Sequence, residues 1–282
     1  MAPLKDQQNS RKASEAAGQA AGIPVRPIST GVPGDPLKSS ALGPEFEFGS
    51  PEVSAAEDSL RIVARRLKEE LEVLLGEFEG EGAYSRLKAA LNALMPEVYK
   101  CYDAFVAAVL ATGPERVACS KGCSHCCSHY VTSVEPYELL FLHGRIRVAP
   151  EYPSRVMALH RRATLFSTLQ DGKPDDQAED RALYRYYLRN VPCPFLAGDG
   201  QCGVYDSRPM SCRMFFSMSH PSLCKGKSVI DPGNRNFLIE LPEDIEADLA
   251  RAGAAFARYS LPESLFEGLL KVNESFGQFD SK

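Results

Sequence analysis

The sequence predicts a mainly α fold with a small β-hairpin, in which an irregular cysteine-rich core packs on a helical hairpin. Three observations carry this. Apolar residues recur at intervals of three and four between residues 60 and 109, the pattern of amphipathic helices with one buried stripe. Turn-forming residues crowd 192–205 between two short apolar arms, the pattern of a tight strand pair. Eight of the nine cysteines fall between residues 119 and 224, mostly in polar surroundings where a hydrophobic core would not place them.

The bulk numbers exclude several classes. A chain of 282 residues is long enough for a sizeable core, and 44% hydrophobic with 24% charged residues is ordinary for a globular protein. A net charge of -5 gives no electrostatic basis for nucleic-acid binding. No apolar run approaches the ~20 residues of a membrane span. The N-terminus lacks the basic start and apolar stretch of a secretory signal. The odd cysteine count and the adjacent pair Cys126-Cys127 argue against a disulfide framework and for a reducing, cytoplasmic setting.

In chain order, residues 1–54 read as a disordered tail, punctuated by Pro24, Pro27, Pro33 and Pro36 and lacking periodicity. Within it, residues 42–50 read as a vector-encoded linker. Residues 55–112 read as a helical hairpin. Leu60, Val63, Leu67, Leu71, Leu74 and Phe78 form one stripe, with Ser54 or Asp58 as cap; Tyr84, Leu87, Leu91, Leu94, Val98, Tyr102, Phe105 and Val109 form the other. Pro96 is expected to kink or split the second helix. A coiled-coil dimer is the rival arrangement, but the repeat is short for one.

Residues 113–230 form the cysteine region, with further helices expected at 134–146, 153–169 and 176–190. The last is rich in Tyr and Arg, which can stack on an anionic ligand but more commonly form an aromatic core face with solvated cations. The hairpin is expected around Phe195-Leu196, Gly198-Asp199-Gly200 and Cys202–Tyr205. Residues 231–282 read as a helical C-terminal segment, with a short strand at Leu238–Leu241 and a closing helix over 242–259 that starts at Pro242.

The cysteines carry the chemistry. Cys119, Cys123, Cys126 and Cys127 lie in one compact turn, where Gly122 permits a backbone conformation closed to other residues. Thiolates converging from one loop suit a soft cation or cluster. Adjacent Cys126 and Cys127 project differently, which implies one structural thiol, a polynuclear site or two sites. Cys193, Cys202, Cys212 and, more loosely, Cys224 form a second group. Cys212 is expected in the first turn of a helix capped by Asp206 or Ser207, where the positive helix end would favour its thiolate. Arg208 and Arg213 are candidates to hold a cofactor by offsetting its negative charge. Cys101 lies between Val98 and Phe105 on a helix stripe and reads as core. His125, His129 and His220 could complete a mixed site, although a histidine near such a cluster is more often exposed or supporting.

Cys119-x3-Cys123-x2-Cys126 is formally the radical S-adenosylmethionine signature. That chemistry rides on a β/α barrel, and the remainder of the chain shows no βα alternation, so this reading is rejected. The order Cys119-x3-Cys123-x2-Cys126-Cys127, Glu135, Cys193-Pro-Phe-Leu196, then Gly200-x-Cys202-x-x-Tyr205-x-x-Arg208-Pro209-x-x-Cys212-Arg213 resembles the YkgJ-type cysteine-cluster family over about 115–225. The resemblance implies chelation of zinc or iron, with the matched cysteines as ligands. A flagellin lysine methylase in that family uses an iron–sulfur centre, which makes an iron–sulfur-dependent modifying enzyme the alternative to a metal-binding protein. The iron would then be a [4Fe-4S] cluster. Metal storage or delivery is a third reading, opposed by the scarcity of cysteine outside the motif. The partner is an unidentified protein or small molecule, and no Ser/His/Asp array or phosphate loop supports a separate active site.

Overall fold

A computed structural model describes residues 25–27, 46–77, 80–113, 116–120, 122–170, 178–225 and 235–277. Among them the chain builds seven α-helices and a small antiparallel sheet. The mainly α expectation therefore holds; a strand at Asn236–Ile239 overlaps the short strand expected at Leu238–Leu241, and the expected hairpin is reduced to a bridge.

Helices α1 (Pro51–Gly76) and α2 (Gly80–Thr112) form the expected hairpin. Leu60, Leu67 and Leu71 of α1 are fully buried, as are Leu87, Val98, Phe105 and Val109 of α2. Phe78 lies outside the described residues. The cap of α1 is Ser50, whose hydroxyl accepts the Val53 N–H at 3.2 Å, and Pro51 supplies the first turn. The helix thus begins inside the stretch read as tail, ahead of Ser54 and Asp58. Phe46 packs on Phe237 with ring centroids 5.5 Å apart, and the Glu47 N–H donates to Thr112 Oγ1 at 3.0 Å. The rest of the tail, apart from residues 25–27, lies outside the described residues. Pro96 does not split α2, which runs through it as one helix.

Helix α3 (Pro136–Ile146) is the central element, buried along most of its length between α2 and α7 (Leu265–Phe276). Helix α4 (Tyr152–Leu169) packs on α7 and on α5 (Ala178–Leu188). Helix α6 (Glu243–Ala254) lies against α1, where Lys68 and Asp248 pair at 2.8 Å. The closing helix expected over 242–259 stops at Ala254. Helix α7 lies within the helical segment expected over 231–282 but was not singled out as an element, although Leu265, Phe266, Leu269, Val272 and Phe276 are buried along one helical stripe.

In the sheet, β3 (Asn236–Ile239) is central, with β1 (Val25–Pro27) and β2 (Phe215–Ser217) antiparallel on either side; Phe216 stands opposite Phe237. The expected hairpin at 195–205 contracts to a single bridge, Leu196 to Cys202. Pro194 has no N–H to extend the ladder. Beyond Val204 the chain coils into a tight turn over Tyr205–Ser207, whose carbonyls bond elsewhere. The turn itself holds: Gly200 sits at φ 80° and the Asp199 carboxylate accepts the Gln201 N–H at 2.9 Å.

Candidate metal centre

Four segments bring the cysteines together. The first runs from Cys119 to the single-turn 3₁₀ helix His125–Ser128, with Gly122 at φ 95° making the bend expected of it. It is docked on the sheet: the Ala118 N–H donates to the Ser217 carbonyl at 2.8 Å, and the Ser217 N–H points at Cys119 Sγ at 3.3 Å. The second is the single-bridge turn that carries Cys193 and Cys202, with the Gly203 N–H donating to the Phe195 carbonyl at 2.7 Å. The third is Tyr205–Cys212. The fourth is the 3₁₀ turn Pro221–Cys224, which packs on His125–Ser128 and is held by the Tyr187 hydroxyl on the Cys224 carbonyl.

The thiols interact in two sets that meet at Cys126. Cys119 feels Cys123, Cys126 and Cys224, while Cys224 feels Cys123 and Cys126. On the other side Cys212 feels Cys193, Cys126 and Cys202. Cys127 hydrogen-bonds Cys126 directly. Sequence order alone groups 119–127 against 193–224; the fold instead pairs Cys224 with the first turn. Cys101 takes no part, since its charged neighbours are Glu97 and Lys100 and it packs against the core.

Burial dominates the electrostatics. It pushes Cys119 and Cys193 up to about 11 and raises Cys202, Cys212 and Cys224. Cys126 is raised first by its bond to Cys127 and then by burial, although it is the one exposed cysteine. Cys212 departs from expectation. Met210–Cys212 is a single 3₁₀ turn and not the start of an α-helix, so no helix dipole opposes desolvation there.

The two arginines differ. Arg213, 3% exposed, donates to the carbonyls of Tyr205, Asp206 and Arg208, pairs with the Asp103 carboxylate and lies 4.3 Å from the Tyr99 ring centroid. It staples the third segment to α2 with its donors committed to protein groups. Arg208 lies over Tyr205 at 4.2 Å, its buried Nε has no hydrogen-bond partner, and its charge favours the thiolates of Cys126, Cys202 and Cys212. Of the histidines, His129 stacks on Tyr187 at 4.2 Å and is lowered to about 4 by burial and then by Arg162. His220 is an exposed cap whose Nδ1 accepts the Ser222 N–H. His125 sits in the first turn beside Cys126.

Glu138 was not singled out by sequence, which pointed to Glu135. The two form a reciprocal capping box at the start of α3. Burial raises Glu135 to about 8 and Glu138 to about 7.

Residues 118–232 match the family model described as "CxxCxxCC: Putative zinc- or iron-chelating domain". This segment is similar to that family. No curated protein and no solved structure matches the chain. The matched segment takes in the described cysteines from Cys119 to Cys224, and α1, α2, α6 and α7 lie outside it. Its donors suit zinc or iron in kind: soft sulfur, backbone N–H groups aimed at sulfur, and arginines nearby. The thiols converge without closing on a ligand shell; among the described residues no three His, Cys, Asp or Glu side chains stand close enough together to hold an ion. Among those residues no helix is long and apolar enough to cross a membrane.

Proposed function

We propose that the protein binds zinc or iron through two thiol sets joined at Cys126-Cys127. Cys119, Cys123 and Cys224 form one set, and Cys193, Cys202 and Cys212 the other. The observation that carries this reading is the mutual interaction of thiols drawn from four separated segments, all centred on Cys126. A free cysteine with only a structural role belongs on an apolar face, whereas these segments are rich in Ser, Lys, Gly and His. Arg208 serves the second set as an adjacent positive charge. The metal would supply Lewis acidity or, as an iron–sulfur centre, electron transfer. The chain's own residues supply thiolates, N–H donors to sulfur and partial exclusion of water. Nine unpaired cysteines suit a reducing, cytoplasmic setting.

Metal analysis of anaerobically purified protein tests this. Stoichiometric zinc or iron that is lost in Cys123→Ser and Cys126→Ser supports it; a metal-free wild type overturns it. The second reading, an iron–sulfur-dependent modifying enzyme such as a protein lysine methylase, is favoured by the exposure of Cys126, which gives a bound centre an open face. It requires brown protein absorbing near ~400 nm with about four irons, and colourless zinc protein overturns it.

A further inference from the structure

Glu135 belongs to the cysteine motif by sequence, yet the two thiol sets give it no role. It caps the head of α3, and its carboxyl group sits where α6 passes that helix. A Cβ on Gly253, in the last turn of α6, would stand 1.8 Å from Glu135 Oε2 and 3.4 Å from Pro136 Cδ. The carboxyl group therefore rests on the helix backbone itself, in a notch that a glycine leaves open.

Its electrostatic surroundings are acidic on every side. Glu138 acts on it from α3 and Glu263 from the segment before α7. Helix α6 presents its C-terminal end, which carries partial negative charge. Arg251, the basic residue of that last turn, is exposed, and among the described residues no cation pairs with Glu135. Burial, then Glu138 and then Glu263, raises the carboxyl to about 8. At neutral pH it keeps its proton, the form that can lie against the end of a helix without repulsion.

We propose that Glu135 is a proton-held latch between α3 and α6: its neutral carboxyl seats in the notch at Gly253, and ionisation drives it out and frees α6 from the head of α3. The latch is independent of metal binding, since neither helix carries a cysteine. A released glutamate ionises near ~4.3. Between that value and about 8 the seated carboxyl keeps a proton that the released one has lost. Seating is therefore fully favoured below ~4.3 and fades as pH rises through 8. One turn of α3 thus holds two neighbours by two carboxyl groups, the Met210 turn through Glu138 and α6 through Glu135.

Backbone amide exchange in the full-length protein tests this, with rates corrected for the intrinsic effect of pH and α2 as the reference helix. In wild type the opening of α6 relative to α2 should rise by about tenfold or more from pH 6 to pH 8. Glu135→Gln keeps the shape of the neutral acid and cannot ionise, so its α6 should respond by less than about twofold. Gly253→Ala fills the notch and turns the carboxyl out to solvent. Its α6 should open more readily than wild type at pH 6 and respond little to pH. A rise of equal size in wild type and Glu135→Gln overturns the latch, because another group then carries the response. An equal rise in α2 and α6 overturns it too, because the whole molecule is then loosening. A wild-type α6 indifferent to pH has the same force. Should Gly253→Ala not fold, Glu135→Gln decides.

Discussion

Glu138 Oε1 accepts the backbone N–H of Met210 at 2.8 Å, tying the buried first turn of α3 to the turn that carries Cys212. The same oxygen accepts the Tyr99 hydroxyl at 3.1 Å, so one carboxylate joins α2, α3 and the third cysteine segment. Glu138→Ala leaves a buried N–H without a partner and should lower stability by about 1–3 kcal/mol or more. Glu138→Gln, which retains an acceptor, should lose less. Chemical denaturation of metal-free protein measures both, and equal losses would count against the hydrogen bond as the cause.

The charge state of Glu138 gives a pH dependence. Burial holds its folded carboxyl neutral up to about 7, against an ordinary value near ~4.3 in the unfolded chain. Between those values the folded state keeps a proton that the unfolded chain has lost. This contribution is therefore complete below the unfolded value and disappears as pH rises through 7. Glu135, at about 8, acts in the same direction, whereas His129 and His143, both near 4, lose stability as pH falls below ~6.5. The difference between wild type and Glu138→Gln isolates the Glu138 part: the wild-type advantage should shrink from pH 5 to pH 7. A pH-independent difference would contradict the assignment.

Metal uptake should release protons. Cys119 and Cys193 stay protonated far above neutrality in the metal-free protein, at about 11. Each ligating thiol of this kind must give up its proton at pH 7, so release should approach one per bound thiol and affinity should fall steeply on acidification. Calorimetry in buffers of differing ionisation enthalpy counts these protons. A release below about two would mean that the buried thiols are not ligands.

Cys101 offers the internal control. Cys101→Ser should keep the full metal content, because its neighbours are Glu97, Lys100 and the core rather than other thiols. Cys202→Ser and Cys224→Ser, one from each set, should reduce metal content. If each removes about half, the sets are independent sites; if each removes all of it, Cys126 and Cys127 make them one.

Gly268 tests the scaffold apart from the cysteines. A methyl group there would stand 2.7 Å from the Pro262 carbonyl oxygen and collide with the Leu139 side chain, where α7 meets α3. Gly268→Ala should cost about 1–3 kcal/mol. Thermal melting checks this, and an unchanged melting temperature would show that α7 shifts freely.

Much of the scaffold was legible because it depends on local periodicity. The stripes of α1 and α2 and the bend at Gly122 follow from residue spacing and from glycine's freedom at positive φ. The closure of the site depended on distant partners. Nothing near Cys224 announces that Tyr187 holds its carbonyl, and Glu138 reads as one more polar residue of a helical segment until Met210 is beside it. Cys212 misled because Asp206-Ser207-Arg208-Pro209 is a fair helix start, yet Arg213 draws in the carbonyls of Tyr205, Asp206 and Arg208 and winds the segment into 3₁₀ turns. The hairpin was placed at its turn, but its arms part after the Leu196–Cys202 bridge, where Pro194 has no N–H and the chain beyond Val204 coils into a 3₁₀ turn.

The bond from the Ser217 N–H to Cys119 spans 98 residues of chain. Contacts of such separation are made late, after helical hairpins such as α1 and α2 have closed locally. A nascent chain would therefore display its thiols individually, each exposed to stray oxidants and metals, until β2 meets β3. The order of assembly makes correct loading a reward for completed folding, and it gives an early-bound metal the capacity to trap the chain short of its final topology.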